Sequence, residues 1–144
     1  MKAILIVAMV AGLGMGTAFS AINEKKVESA KQSAAKYGKL ITFVFYQAYW
    51  DPNCPKCVAT VNANNASAKK VIPRQESVVI EVVGKEKDAK AALPPVVSID
   101  GPTPRVVVTD ADCGKIVAEV KAGASKAEVE AFTKTVKDAV SSKH

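Results

Sequence analysis

Histidine is nearly absent from this 144-residue chain: the one copy, His144, is the last residue. A Cys–His hydrolase needs an imidazole held beside its sulfur, which a frayed chain end does not provide, so the sequence argues against that chemistry. Cysteine is scarce too, with three copies, at 54, 57 and 113. A closed zinc site takes four ligands, and beyond Cys54 and Cys57 the chain offers it only Cys113 and the terminal His144. Long runs of one charge are missing. The 20 lysines and arginines are interleaved with 14 acids, as in "KEKDAK", and the net charge of +6 reads as a solvated surface. No basic stripe marks a nucleic-acid interface. Internal repeats, low-complexity tracts and a second core are also absent, and the length suits one domain.

The first twenty residues read as an address. Lys2 is followed by the uncharged apolar run "AILIVAMVAGLGMGTAF", and Ala18-Phe19-Ser20 places small residues at the two positions a signal peptidase reads. The run is nearly long enough to be an uncleaved anchor. Its glycines at 12, 14 and 16 and its small-residue exit favour a signal peptide over 1–20, cleaved after Ser20. Cleavage leaves residues 21–144 as the domain and lowers the net charge to +5, since Lys2 is lost. No stable membrane insertion is then expected. No cysteine lies near the exit, which argues against lipid attachment. Export implies an oxidising compartment in which disulfides persist, and an odd cysteine count leaves at least one without an intramolecular partner.

Apolar spacing predicts a helix over Asn23 to Tyr37, with Val27, Ala30, Ala34 and Tyr37 on one face and Gly38 at its stop. "LITFVFYQ", Leu40 to Gln47, is apolar almost without alternation, as expected of a central strand covered on both faces. A turn-like "WDPN" leads to Cys54, where a second helix should start and run towards Lys70; its "NANNAS" middle has poor helix propensity. "SVVIEVV", from Ser77 to Val83, reads as a second buried strand, and "KEKDAKAAL" as a short helix ended by Pro94-Pro95. "RVVVTD" and "KIVAEV" read as two strands joined by a turn, "ADCGK". Ser125-Lys126-Ala127-Glu128 is a capping box opening a last helix that buries Val129, Phe132, Val136 and Val140. A βαβ unit with a parallel strand pair is thus followed by a ββα unit with an antiparallel pair.

This order, with Cys54-Pro55-Lys56-Cys57 directly after the first buried strand and Thr103-Pro104 directly before "RVVVTD", resembles the thioredoxin-like superfamily over nearly all of the mature chain. The resemblance implies an α/β fold: a three-layer sandwich whose central mixed four-stranded sheet is flanked by helices. It implies a cis bond before Pro104, beside the cysteine pair, with Thr103 and Pro104 shaping a surface for peptide. The sequence departs from the pattern in two places. The tryptophan that usually precedes the first cysteine is Trp50, four positions back, with Asp51-Pro52-Asn53 inserted. The acid usually buried beneath the second cysteine is missing, since that stretch holds Gln47 and Ala48; Glu81 on the neighbouring strand is a substitute candidate.

Thiol–disulfide exchange needs a thiolate to attack and a second thiol to resolve the mixed disulfide. Cysteines at i and i+3 in the first helical turn meet both needs. Cys54 would sit at the helix N-terminus, whose positive end favours a thiolate; Pro55 costs no hydrogen bond there, and Lys56 adds positive charge. All three push the Cys54 pKa down. Cys57, further in, is the resolving candidate. Trp50 and Tyr49 beside the pair suit either a core or an apolar rim that grips a partner polypeptide. Asp51 reads as a turn former, with proton transfer as the alternative, and Cys113 as a lone surface thiol. The expectation is an exported thiol–disulfide oxidoreductase, needing no cofactor or metal, that exchanges with protein thiols or disulfides of clients or redox partners. The alternative is a binding module whose pair is inert or holds a soft metal ion such as Cu(I).

Overall fold

The computed structural model describes residues 22–83 and 89–142. Helix α1 (Glu24–Tyr37) is followed by β1 (Leu40–Tyr46), α2 (Pro55–Lys70), β2 (Ser77–Val83), the short α3 (Ala89–Ala92), β3 (Arg105–Thr109), β4 (Ile116–Lys121) and α4 (Lys126–Ser141). The predicted leader, its cleavage point and the first residues of the predicted "KEKDAKAAL" helix lie outside the described residues. Among the described residues no helix is long and apolar enough to cross a membrane.

The four strands form one sheet in the order β2-β1-β3-β4. β1 runs parallel to β2, from Leu40 opposite Ser77 to Tyr46 opposite Val83. It runs antiparallel to β3, which runs antiparallel to β4. β1 is therefore a central strand, and every one of its residues is buried. Its side chains alternate between two cores. Ile41, Phe43 and Phe45 pack with Val27, Ala30 and Ala34 of α1 and with Ala89 and Ala92 of α3. Leu40, Val44 and Tyr46 pack with Ala68 of α2 and with Phe132 and Val136 of α4. Helices on both faces remove the need for a polar side, which is why the strand reads as a continuous apolar run. β4 lies at the sheet edge and is mostly exposed, with Val120 as its buried residue.

Local signals set the helix ends. Asn23 caps α1, its side chain accepting from the Lys26 N–H at 2.9 Å, and Gly38 ends it in the left-handed conformation that glycine adopts at little cost. Ser125 and Glu128 close the expected capping box on α4. Two expectations are refined. Tyr37 is 62% exposed, because α1 presents only Val27, Ala30 and Ala34 to the sheet before the chain turns. On α4, Phe132 and Val136 are buried, while Val129 and Val140 are half-buried at the margin of the same core. The one buried hydroxyl pair on β1 and β2 is satisfied in series: Thr42 donates to Ser77 at 2.6 Å, and Ser77 donates to the Pro73 carbonyl at 2.8 Å.

Phe43 is fully buried in the middle of β1. Phe43→Ala is expected to lower unfolding stability by about 3–5 kcal/mol in urea denaturation, whereas Tyr37→Ala should stay within about 0.5 kcal/mol of the parent.

Candidate active site

The chain leaves β1 at Tyr46 and reaches α2 through residues 47–54. Three asparagines of the "NANNAS" segment hold that passage. The Gln47 N–H donates to Asn65 Oδ1 at 2.8 Å, and Asn65 Nδ2 donates back to the Gln47 carbonyl at 3.1 Å. Asn64 Nδ2 donates to Gln47 Oε1 at 2.9 Å, and the Tyr49 hydroxyl donates to Asn62 Oδ1 at 2.6 Å. These residues are poor helix formers, yet α2 continues through them to Lys70. Asn65 serves backbone groups of Gln47 that no neighbouring strand pairs, while Asn64 and Asn62 hold the side chains of Gln47 and Tyr49, which explains amides where alanine would suit a helix better.

The turn that follows delivers Cys54. Asp51 accepts the Asn53 N–H on Oδ1 at 3.1 Å, and its carbonyl accepts the Cys54 N–H at 3.1 Å. Cys54 is the N-cap of α2: its carbonyl accepts from Val58 N at 3.0 Å and its sulfur from the Cys57 N–H at 3.1 Å. Pro55 is the first helical residue, where a missing N–H costs nothing. Cys54 and Cys57 are joined as a disulfide, with Cα atoms 5.2 Å apart. Both are half-buried, so the greater burial expected of Cys57 is not pronounced in this form. Lys56 is exposed on the same turn.

Thr103–Pro104 is a cis peptide, as the resemblance implies. Arg105 lies opposite Phe45 in the sheet, so Pro104 sits one residue further, at the end of β1 from which the cysteine loop departs. Pro104 is buried and Thr103 half-buried, and the Pro104 carbonyl accepts from Ala122 N at 2.9 Å. Trp50 is 58% exposed and Tyr49 about half exposed, which excludes the core alternative for both. Tyr49 and Pro52 also border a groove of about 730 Å³ against α2, to which Tyr46 and Glu81 contribute.

Arg105 escaped the sequence reading. It is 3% exposed, with its guanidinium 4.0 Å over the Phe45 ring, and it donates to the Pro102 carbonyl at 3.1 Å and to the Ser98 carbonyl. Its Nε lies 3.7 Å from Glu119. Burial pulls its pKa below the ordinary arginine value, opposed by the carboxylates of Glu119 and Asp100. Gly101 passes close beside it in a positive-φ conformation, where a Cβ would stand 3.0 Å from Nη1. Arg105 thus fastens the segment leading into the cis proline. A lone cation opening an otherwise apolar strand was the available signal.

Two expectations are corrected. Cys113 is buried, not a surface thiol; it sits in the β3–β4 turn with φ of 59°, packed into the α1-side core beyond Thr109. That turn is at the opposite end of β3 from Pro104. Burial pushes the Cys113 thiol pKa up, so it is a poor nucleophile. The second correction concerns Glu81. Its carboxylate accepts the Tyr46 hydroxyl at 2.6 Å and is not grouped with the cysteines. Asp51 is: its carboxylate oxygen and the two sulfurs all lie within 4.8 Å of one another, the single such group among the described residues. With the sulfurs joined, neither is a thiolate, and this form presents no metal site.

The strand order, the disulfide at the head of the helix after β1 and the cis proline before β3 now stand together. The fold is thioredoxin-like. No protein-family model and no curated protein matches the chain. Among solved structures, the periplasmic thioredoxin SoxS of Paracoccus pantotrophus, in its reduced form, is 14% identical over 74% of this chain and all of that one, with a TM-score of 0.37. A thioredoxin-fold protein from Helicobacter pylori is 17% identical over 74% of this chain and 85% of its own, with a TM-score of 0.31. Both likenesses are weak, so the fold assignment rests on the topology.

Burial, then the bond to Glu81, raises the Tyr46 pKa well above its ordinary value near 10. The folded state therefore favours the protonated phenol. Its contribution to stability is whole below about pH 10 and is lost as pH rises past the value of the unfolded chain. Tyr46→Phe should lower stability at neutral pH by about 1–2 kcal/mol and flatten the alkaline limb of a stability-against-pH curve. An unchanged alkaline limb would assign it to another group.

Proposed function

We propose that the chain is an exported thiol–disulfide oxidoreductase acting through Cys54 and Cys57. The observation that carries this reading is the hydrogen bond from the Cys57 N–H to Cys54 Sγ, at the positive end of α2. It supplies a donor and a partial positive charge where a thiolate would form. Lys56 adds charge on the same turn.

In the reducing direction, the Cys54 thiolate attacks a client disulfide. One client sulfur leaves as a thiolate and the other stays bonded to Cys54. Cys57 loses its proton and attacks Cys54 Sγ, forming the internal disulfide and freeing the second client thiolate. The client gains the two electrons that the pair loses, so no cofactor is required. The oxidising direction is the reverse. Cys54 takes the attacking role because it caps the helix and its sulfur receives the Cys57 N–H, and Cys57 resolves because it lies one turn in. Pro104 and Thr103, beside the loop exit, shape the surface that meets the client, and the exposed Trp50 with Tyr49 forms an apolar rim for it. Export rests on the leader over 1–20, and the clients are folded or unfolded proteins carrying thiols or disulfides. A second reading, an inert pair in a binding module, is favoured by the absence of a buried acid at Gln47 and Ala48.

Cys54→Ser is expected to abolish exchange with a test disulfide, and Cys57→Ser to accumulate mixed disulfides with clients. A Cys54→Ser protein exchanging at the parent rate would refute the assignment. The reduction potential of the pair decides between the two readings. A value between about −120 and −270 mV marks an exchangeable couple, and one below about −300 mV a locked disulfide.

A further inference from the structure

We propose that the Asp51 carboxylate sets the redox poise of the Cys54–Cys57 couple, holding it more reducing than the helix terminus and Lys56 alone would. The proposal rests on the exchange reading above and assigns a residue that the reading does not use.

The argument begins with where the charge sits. Asp51 stands three residues before Cys54, in the insert that displaces Trp50 from the cysteine. Its carboxylate oxygen lies within 4.8 Å of both sulfurs. The side chain is not free to wander, because Oδ1 accepts the Asn53 N–H, and the Asp51 carbonyl accepts the N–H of Cys54 itself. The turn therefore fixes a negative charge next to the atom on which the helix terminus invites one.

Reduction makes that juxtaposition matter. When two glutathione thiols are oxidised to one glutathione disulfide, the S–S bond of the pair breaks. Cys57 keeps one proton, and Cys54 is left as a thiolate with the other proton released to solvent. The disulfide is neutral, so Asp51 is indifferent to it, whereas the thiolate is repelled. A like charge at this distance in a half-solvated site disfavours the reduced form by about 3- to 10-fold in the exchange equilibrium constant. That corresponds to about 15–30 mV for a two-electron couple. The effect opposes the N–H donated by Cys57 and the charge of Lys56, so the couple reflects a balance of the three. Glu81 is engaged by Tyr46 and is not in the cysteine group.

The test uses Asp51→Asn, because asparagine keeps the Oδ1 acceptor for Asn53 and removes only the charge. In glutathione buffers at low salt, the variant's equilibrium constant should shift 3- to 10-fold towards the dithiol, while Asp51→Glu stays near the parent. At about 1 M salt, where screening acts within a few ångströms, the difference should collapse. In a Cys57→Ser background, Asp51→Asn should also lower the apparent pKa of Cys54, read from alkylation rate against pH. This second readout needs no exchange activity. An unshifted equilibrium constant, or a shift that survives high salt, overturns the proposal. A pair that never equilibrates with glutathione while alkylation still reports the Asp51 effect overturns the oxidoreductase reading instead. An unchanged Cys54 pKa in Asp51→Asn overturns the charge role whatever the exchange assay shows.

Discussion

The paired hydrogen bonds between the Gln47 backbone and the Asn65 side chain tie the exit of β1 to the third turn of α2. β1 is rigid up to Tyr46, because both of its faces are packed. Beyond Tyr46 the backbone loses its strand partners, and Asn65 of α2 replaces them at Gln47. The cysteine loop is thereby stretched between two fixed points. It has little choice but to place Cys54 at the head of the helix that supplies the clamp. The cost is a stretch of weak helix formers in α2, offset by satisfied backbone groups.

A similar economy governs the other side of the site. The segment before the cis proline has no regular structure of its own. Arg105 gathers it by donating to two of its carbonyls while stacking over Phe45, the residue opposite it in the sheet. The guanidinium fork suits this work, since it can satisfy several acceptors from a buried position where an ammonium could not. A charge buried at a strand's first residue thus acts as an internal fastener between the sheet and the loop that would meet a client.

In the reading proposed above, the electrostatics around the pair work in opposite directions: the helix terminus and Lys56 favour a thiolate, and the Asp51 turn opposes one. The chain leaving β1 carries Gln47 and Ala48, and no acid. The carboxylate near the sulfurs arrives instead from the surface loop. Glu81 holds a different place because the β1–β2 register brings its side chain to Tyr46.

Much of this was legible in the sequence. The apolar run from Leu40 to Tyr46, the capping box at Ser125 and Glu128, and the spacing of Val27, Ala30 and Ala34 are local patterns, and each element formed where its pattern stands. Cys54 at the head of a helix and Pro104 before a strand were also local, since both depend on neighbours in the chain. Other features were decided by residues far apart in sequence. Cys113 looked exposed because its turn is polar, yet its side chain faces the α1-side core. Asn65 looked like a weak helix residue until Gln47 came beside it across the fold. Arg105 was not singled out in the sequence, and only the pairing of β3 with β1 set it over Phe45. Periodicity and capping act over one turn or one strand, so the sequence by itself determined the elements and the placing of the Cys54–Cys57 motif at a helix head. Burial and electrostatic partnership are properties of the assembled layers, so only the tertiary structure decided which polar groups serve the site.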